Sequence, residues 1–286
     1  MTNSLARSYA YCERLARRQA GNFYPAFRIL PRCQRLSMCA LYAFLRITDD
    51  LSDGPAATDE KRRALASWRH ALHQSLAGVY SHRLHAALHD TLTAHRVPTE
   101  YLDAVLDGVE MDLDQRRHAS FNDLYAYCYR VASVVGLACI HIWGFTGEKA
   151  KIYAEHAGIG FQLTNILRDL GEDVDRGRVY LPQEDLARFE YSPELIGRHE
   201  MNDRFRALMR FQVERARYYY DAAWPLCGLL PPAGRAVFLM MARTYLGILD
   251  EIEARNYDVF SSRVSLNRWK KAALVVRSLP ARLGLA

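Results

Sequence analysis

Proline placement is the sequence feature that most restricts how this chain can fold. No proline lies between Pro98 and Pro182, and an interior proline breaks a helix, so this span has room for several long helices. Apolar residues elsewhere recur at three- and four-residue spacing, which is typical of helices that bury one face. Two such stripes are Leu65, Trp68, Leu72 and Leu76, and Leu84, Leu88 and Leu92. Alternation with a period of two is scarce. We therefore predict an all-α bundle in a single domain spanning residues 1–286.

Short polar and glycine signals predict where these helices begin and end. A Ser or Thr followed by acidic residues favours a helix start, and Gly or Gly-Pro favours a helix end. The predicted starts are Thr58, Thr99, Ser120 and Ser192, and the predicted ends are Gly54, Gly108, the 144–147 turn and Gly177.

Two pairs of aspartates are the strongest chemical signal. Asp49 and Asp53 are four residues apart, and Asp169 and Asp173 repeat that spacing with Asn165 one turn earlier. At about 100° per residue, two positions four apart lie about 40° apart on one helical face. Like charges at this spacing destabilise a helix unless something positive binds there. Because all the ligand atoms are oxygens, the pattern indicates Mg²⁺ rather than zinc.

An arginine accompanies each aspartate pair on the adjacent turn, namely Arg46 and Arg168. The guanidinium fork suits phosphate oxygens, and Mg²⁺ between carboxylates and a diphosphate neutralises the charge of the leaving group. The implied reaction is diphosphate ionisation. An allylic carbocation would remain, and it needs a dry, aromatic pocket whose ring faces stabilise positive charge.

At this point the chain resembles the head-to-head prenyl synthases, the squalene and phytoene synthase family. The resemblance runs from about Tyr9 to Lys271. Its most specific segments are residues 165–173 and 176–182, supported by residues 42–53, 108–113 and 127–133. The family fold is an all-helical bundle around a central cavity, so the resemblance implies the fold that the periodicity also predicts.

The resemblance also implies roles for individual residues. It implies metal ligands at Asp49, Asp50, Asp53, Asn165, Asp169 and Asp173, with Mn²⁺ able to replace Mg²⁺. It implies contacts to diphosphate or the prenyl channel from Arg46, Arg168, Gln162, Tyr245 and Phe23. Tyr127 and Tyr42 match tyrosines near the cation, and Arg178 matches an arginine tied to the later diphosphate departure. The family often has Ser-x-Ser before the Phe of the first segment, where this chain has Asn22 before Phe23, so a hydrogen bond from Asn22 would replace a hydroxyl contact.

The family chemistry joins two allylic diphosphates into a cyclopropylcarbinyl diphosphate, which is then rearranged. Segments 130–133 and 108–111 favour C15 substrates, so the main prediction is condensation of two farnesyl diphosphates to presqualene diphosphate and on to squalene. The alternative is a phytoene synthase acting on two geranylgeranyl diphosphates, which segments 53–55 and 176–180 fit equally well. NADPH is expected only if the product is reduced.

The spacing of the histidines suggests a different class of function. His70, His73, His82, His85 and His89 share helical spacing, which leaves open a non-catalytic metal-binding helical protein. The sequence favours a solvated polar face there instead, because Asp90 is the one acid close by. A nicotinamide fold is disfavoured, since Gly158 and Gly160 are followed by Leu163 where a third glycine is expected.

Charge and hydropathy restrict where in the cell this protein is expected. The chain has 38 bases and 32 acids, and no acid follows Asp258, so residues 259–286 form a basic tail. Such a tail fits peripheral contact with an anionic membrane, a role next to a phosphate-bearing ligand, or a solvated helix end, and the sequence leaves these alternatives open. No nucleic-acid-binding module accompanies it. The most apolar stretch, residues 131–145, is shorter than a membrane crossing needs, and no secretory signal is evident. We expect a cytoplasmic protein, with membrane association through the tail.

Overall fold

The computed structural model describes residues 3–21, 23–114, 117–267 and 281, and within them the regular structure is helical without a strand. The all-α prediction is therefore confirmed. The helices are α1 (Asn3–Gln19), α2 (Phe23–Phe27), α3 (Arg32–Asp53), α4 (Thr58–Leu76), α5 (His85–His95), α6 (Thr99–Leu113), α7 (Phe121–Cys128), α8 (Val134–Trp143), α9 (Lys149–Arg168), α10 (Leu170–Asp175), α11 (Gln183–Arg188), α12 (Pro193–Gly197), α13 (Asp203–Ala223) and α14 (Pro232–Ala254). A π-helical turn, Tyr129–Ser133, joins α7 to α8, and a 3₁₀ turn, Trp224–Leu229, follows α13.

Most predicted helix boundaries agree with the structure. Helix α3 ends at Asp53, directly before Gly54. Ser120 caps α7 by accepting a hydrogen bond from the Asp123 amide, while the Asp123 carboxylate accepts one from the Ser120 amide. This reciprocal pair satisfies two amides that the first turn of a helix leaves without partners.

The predicted helix end at Gly108 is wrong, because Gly108 lies inside α6. A Cβ atom at this position would lie 2.6 Å from Cγ1 of Val131 in the π turn. Gly158 of α9 serves the same purpose on the other side, where a Cβ would lie 2.3 Å from the Cα of Ser133. Both glycines therefore allow neighbouring helices to approach the π turn closely.

The run Phe121–Trp143 is the one helix in the described ranges that is long and apolar enough to cross a membrane by length and composition. Half of its most apolar window is buried inside the protein. Val131, Val135 and Ile140 of the same run line an internal cavity. Packing and cavity lining therefore account for its apolar character.

The buried apolar side chains form two clusters with α9 at their border. One cluster is built mainly from α1, α3, α5, α6, α8 and α14. The second joins α9, α13 and the segment after α14. Phe161 of α9 packs against both clusters. The position of α9 between them places the functional residues of its C-terminal half in the middle of the molecule.

The predicted basic tail is only partly described. Its first residues, 259–267, pack against the second cluster, with Val264 and Leu266 buried, so this part is not a free tail. Arg268, Lys270, Lys271, Arg277 and Arg282 lie outside the described residues.

Candidate functional site

The first wall of the site is the C-terminal end of α3. Helical geometry places Asp49 and Asp53 on one face, as predicted from their spacing. Asp50 instead forms an ion pair with Arg46 one turn earlier on the same helix. Burial of the Asp49 carboxylate and repulsion from Asp53 raise the pKa of Asp49 to about 7. Ionising Asp49 without a bound cation therefore costs free energy.

The second wall is the junction between α9 and α10. The backbone bends at Asp169, yet the Asp169 amide donates to the Asn165 carbonyl at 2.9 Å and the Asp173 amide donates to the Asp169 carbonyl at 2.9 Å. The four-residue repeat of Asn165, Asp169 and Asp173 thus continues through the bend.

The two aspartates of this second wall are in different electrostatic environments. Burial raises the pKa of Asp169, but ion pairs from Arg168 and Arg263 outweigh it, so the net pKa is lowered. Burial, followed by repulsion from Asp169, raises the pKa of Asp173 to about 7, and Arg178 offsets only part of that rise. Asp173 resembles Asp49 in carrying a charge that nearby bases do not balance.

Arg178 connects the two walls. Its amide donates to the Asp173 carbonyl at 2.8 Å, and its guanidinium lies 3.7 Å from Oδ1 of Asp53. The segment after α10 therefore brings the Asp173 end of the second wall next to the first wall, although 120 residues separate Asp53 from Asp173 in the sequence.

Two buried atoms without hydrogen-bond partners test whether the site fits a divalent metal and a diphosphate. Oδ1 of Asn165 is such an acceptor, while the Asn165 amide group donates to Gln162 at 3.3 Å. Nε of Arg46 is such a donor. A free oxygen beside Asp169 and Asp173 suits Mg²⁺, and a free guanidinium N–H suits a phosphate oxygen, so the residues fit both groups.

In the part of the chain that the structure describes, no three His, Cys, Asp or Glu side chains converge to hold a metal ion by themselves. Magnesium does not need such a cage. It usually keeps several waters and is held by one or two carboxylates together with substrate phosphates. Paired aspartates on facing walls match that manner of binding.

An apolar cavity of about 170 Å³ begins at this second wall. Asn165, Gln162 and Tyr245 line its polar end, together with Phe23 and Phe161. The ring of Tyr245 lies edge-on to Phe161 at 4.8 Å. Burial raises the pKa of the Tyr245 hydroxyl, and the nearby Arg168 guanidinium offsets part of that rise. The structure thus brings together in one cavity three residues that the resemblance assigned to the substrate, Phe23, Gln162 and Tyr245.

Towards its other end the cavity is lined by small and apolar side chains. Gly136, Ala154 and Ala157 leave space along α8 and α9, and Trp143 and Phe238 line the apolar end. Tyr42 packs against the first cluster, edge-on to Phe27 at 6.5 Å. Asn22 lies outside the described residues, so its predicted contact stays a prediction.

Several residues near the site were not assigned from the sequence. Asp112 accepts hydrogen bonds from Tyr127 and Tyr180, and His118 packs against both tyrosine rings. Arg263, 94 residues from Asp169, donates to its Oδ1 at 3.0 Å. A lone Asp, a lone His and a base in the tail have no partner at helical spacing, so no local pattern marks them.

The histidines do not converge on one point. His73 hydrogen-bonds with Asp103 at 3.1 Å, and His89 hydrogen-bonds with Tyr80 at 3.0 Å. His82 and His85 instead pack around the Trp68 ring. Separate partners of this kind disfavour the metal-binding alternative that the histidine spacing left open.

Comparisons with known proteins agree with this geometry. A family model described as squalene/phytoene synthase matches residues 16–270. The 15-cis-phytoene synthase of Synechococcus elongatus is 38% identical over 280 residues, which cover 94% of this chain and 91% of that protein. The chloroplastic phytoene synthase of Daucus carota is 36% identical over 275 residues, covering 94% and 69%.

Solved structures share the fold. A dehydrosqualene synthase crystallised with a ligand superposes with a TM-score of 0.89 at 27% identity, covering 98% of both chains. A squalene synthase from Alicyclobacillus acidocaldarius superposes with a TM-score of 0.85 at 25% identity, covering 90% of this chain and 97% of that one.

Proposed function

This chain belongs to the squalene/phytoene synthase family, and we propose that it joins two geranylgeranyl diphosphates head to head to form phytoene. The observation that carries the C20 substrate is the 36–38% identity to phytoene synthases over nearly the whole chain. The C15 substrate was our main expectation from the sequence, and this identity favours the C20 alternative over it.

The segments that suggested C15 substrates have a packing role. Gly108 lies against Arg130 and Val131, and Gly158 lies against Ser133, so residues 108–111 and 130–133 follow the requirements of the π turn. Such contacts carry little information on substrate length.

The cavity is elongated along α9, as an extended prenyl chain requires. Its lining runs from Asn165 to Ala154, which at 1.5 Å per residue is about 16 Å of helix. Small residues on α8 and α9 keep this length open. We propose that one C20 chain lies along it with its diphosphate at the Asn165 end.

Asp49 and Asp53 on one wall, and Asn165, Asp169 and Asp173 on the other, would hold Mg²⁺ together with the diphosphate. Bound Mg²⁺ would neutralise the charge that develops on the leaving diphosphate. Arg46 would donate its free Nε–H to a phosphate oxygen on the first wall. On the second wall Arg168 already donates from Nε and one terminal nitrogen to Asp169, so it would reach a phosphate oxygen with its remaining N–H groups. Each arginine is already paired with an aspartate, so substrate binding would redistribute these contacts.

Beyond the charged end, the lining excludes water and stabilises positive charge. Phe23, Phe161 and Tyr245 surround the start of the cavity with aromatic surface. We propose that Tyr127 and Arg178 serve the second ionisation, in which the cyclopropyl intermediate loses its diphosphate. Loss of a proton from the rearranged cation then gives phytoene, so this route uses no reductant and NADPH is not required.

The decisive experiment is incubation of the purified protein with Mg²⁺ and either geranylgeranyl or farnesyl diphosphate, each with and without NADPH. We expect a C40 hydrocarbon from the C20 substrate without NADPH. A C30 product formed faster than any C40 product would return the assignment to the squalene prediction. No condensation from either substrate would refute catalysis.

A cytoplasmic location with peripheral membrane contact completes the proposal. Phytoene is an apolar hydrocarbon, so its release into water is unfavourable. The basic, apolar residues 268–280, which lie outside the described residues, are suited to anionic lipid. Binding to liposomes measures this contact.

A further inference from the structure

A single carboxylate, Asp112 of α6, joins two tyrosines from distant parts of the chain. Tyr127 of α7 donates its hydroxyl to Oδ2 at 3.1 Å, and Tyr180 donates to Oδ1 at 2.9 Å. Both oxygens of the carboxylate therefore have a phenol donor. The two hydrogen bonds fix the directions of both hydroxyl groups at once.

The two tyrosine rings form one packed unit. They stack at 5.2 Å between centroids with 21° between their planes. His118 packs against Tyr127 at 5.4 Å and against Tyr180 at 6.3 Å. The space beside Asp112 is only about 10 Å³, room for about one water. Bulk water therefore cannot replace either tyrosine as a partner of the carboxylate.

Asp112 also acts on the arginine that connects the two walls of the site. Arg178 lines the same small space and attracts the Asp112 carboxylate electrostatically. The guanidinium also lies 3.7 Å from Asp53. Asp112 and Asp53 therefore both attract the Arg178 guanidinium, and removing the charge of Asp112 would shift the balance of these attractions towards the aspartates of the two walls.

We propose that Asp112 is a positioning residue for the second ionisation, fixing Tyr127 and Tyr180 as one aromatic surface and holding Arg178 between the two aspartate walls. This inference rests on the proposed function, in which Tyr127 and Arg178 act on the cyclopropyl intermediate. Asp112 acts through these residues and does not itself contact the substrate. Its loss affects rearrangement of the intermediate more than its formation, because Arg46, Arg168 and Asn165 keep their places.

The test is Asp112→Asn, which keeps the size of the side chain and removes its charge. The Asn carbonyl can accept from one tyrosine, whereas its NH₂ group only donates, so one phenol loses its acceptor. We expect substrate consumption to stay within a few-fold of wild type. The ratio of cyclopropyl diphosphate to C40 hydrocarbon should rise roughly tenfold or more, the scale of one weakened cation–π contact in a dry site.

Asp185→Asn is the matched control. Asp185 is also a buried carboxylate with two donors, but these are Gln212 and Arg215 of α13. The control should lower the melting temperature without changing the product ratio. A structural role for Asp112 alone would make the two variants behave alike.

Tyr180→Phe covers the case in which Asp112→Asn does not fold. This variant keeps the ring and removes one hydrogen bond to Asp112, so the ratio should shift in the same direction by a smaller factor. An unchanged ratio in a folded Asp112→Asn protein overturns the inference. So does an unchanged ratio in Tyr180→Phe when Asp112→Asn is unfolded, and so does loss of the first condensation in folded Asp112→Asn. Failure of the wild-type protein to condense either substrate would refute the proposed function instead.

Discussion

Metal binding should depend steeply on pH between 6 and 8. Asp49 and Asp173 each have a pKa of about 7 in the metal-free protein. A ligand must be deprotonated to bind metal, and such a carboxylate is roughly nine-tenths ionised at pH 8 but roughly one-tenth ionised at pH 6. If both must be ionised, the competent fraction falls about a hundredfold over these two pH units. Mg²⁺ affinity should fall by the same factor.

Titration of the metal alone, by calorimetry with Mg²⁺ or by electron paramagnetic resonance with Mn²⁺, measures this without turnover. The logarithm of the affinity should rise by about two per pH unit at the acid end of the range. In Asp173→Asn one titrating ligand is lost, so this slope should fall to about one. Asp169→Asn is the matched control, because the pKa of Asp169 is lowered and its charge is constant above pH 6. Its affinity should fall, and its slope should stay above that of Asp173→Asn but below two, because both titrating ligands remain while the loss of the Asp169 charge lowers the pKa of Asp173.

Thermal unfolding provides a second measurement with a defined sign. A carboxylate whose folded pKa lies above its unfolded pKa destabilises the metal-free fold progressively as the pH rises from the unfolded pKa to the folded pKa. Mg²⁺ binds the ionised form, so a fixed Mg²⁺ concentration should raise the melting temperature more at pH 8 than at pH 6. A metal affinity that is flat from pH 6 to 8, or an unchanged slope in Asp173→Asn, would refute this account of the two aspartates.

Three further predictions test the site, the packing and the tail. Asp169→Asn should lower turnover by about 10² or more with the circular dichroism spectrum unchanged, because a charged ligand of the ionisation step is lost; near wild-type turnover would contradict the two-wall site. Gly158→Ala should destabilise the fold by about 1–3 kcal/mol, since its Cβ would meet the π turn at 2.3 Å, whereas Gly228→Ala, with open space around it, should be neutral in thermal unfolding. Liposome binding should weaken with salt and on changing Lys270 and Lys271 to Glu; binding insensitive to both would exclude the electrostatic tail contact.

Local sequence patterns predicted the features that depend on one helix at a time. The long helices followed from the proline gap and the apolar stripes, because helical periodicity alone decides which side is buried. The shared face of Asp49 and Asp53 followed from their spacing, since positions four apart in a helix are always neighbours. These predictions needed no knowledge of what packs against the helix.

Features that depend on contacts between helices could not be predicted from local sequence patterns. Glycine often ends a helix, so the sequence predicted an end at Gly108. Its neighbour in the structure, Val131, is 23 residues away in the sequence, and this contact makes Gly108 a site of close packing instead. Asp112 belongs to no spaced pair, and its partners Tyr127 and Tyr180 come from two other segments. One signal was available, because all three lie in segments that resemble the family, yet no spacing rule joins them.

The second aspartate pair shows most directly why identical spacing does not imply identical chemistry. Asp169 and Asp173 lie one helical turn apart, yet the pKa of the first is lowered and that of the second is raised. The difference arises from Arg168, which is adjacent in sequence, and from Arg263, which the segment after α14 brings to Oδ1 of Asp169. Asp169 therefore keeps its charge at any pH near neutrality, while Asp173 changes from mostly protonated to mostly ionised between pH 6 and pH 8. A pair built in this way keeps one ligand always ready for the metal and makes the second ligand the pH-sensitive one.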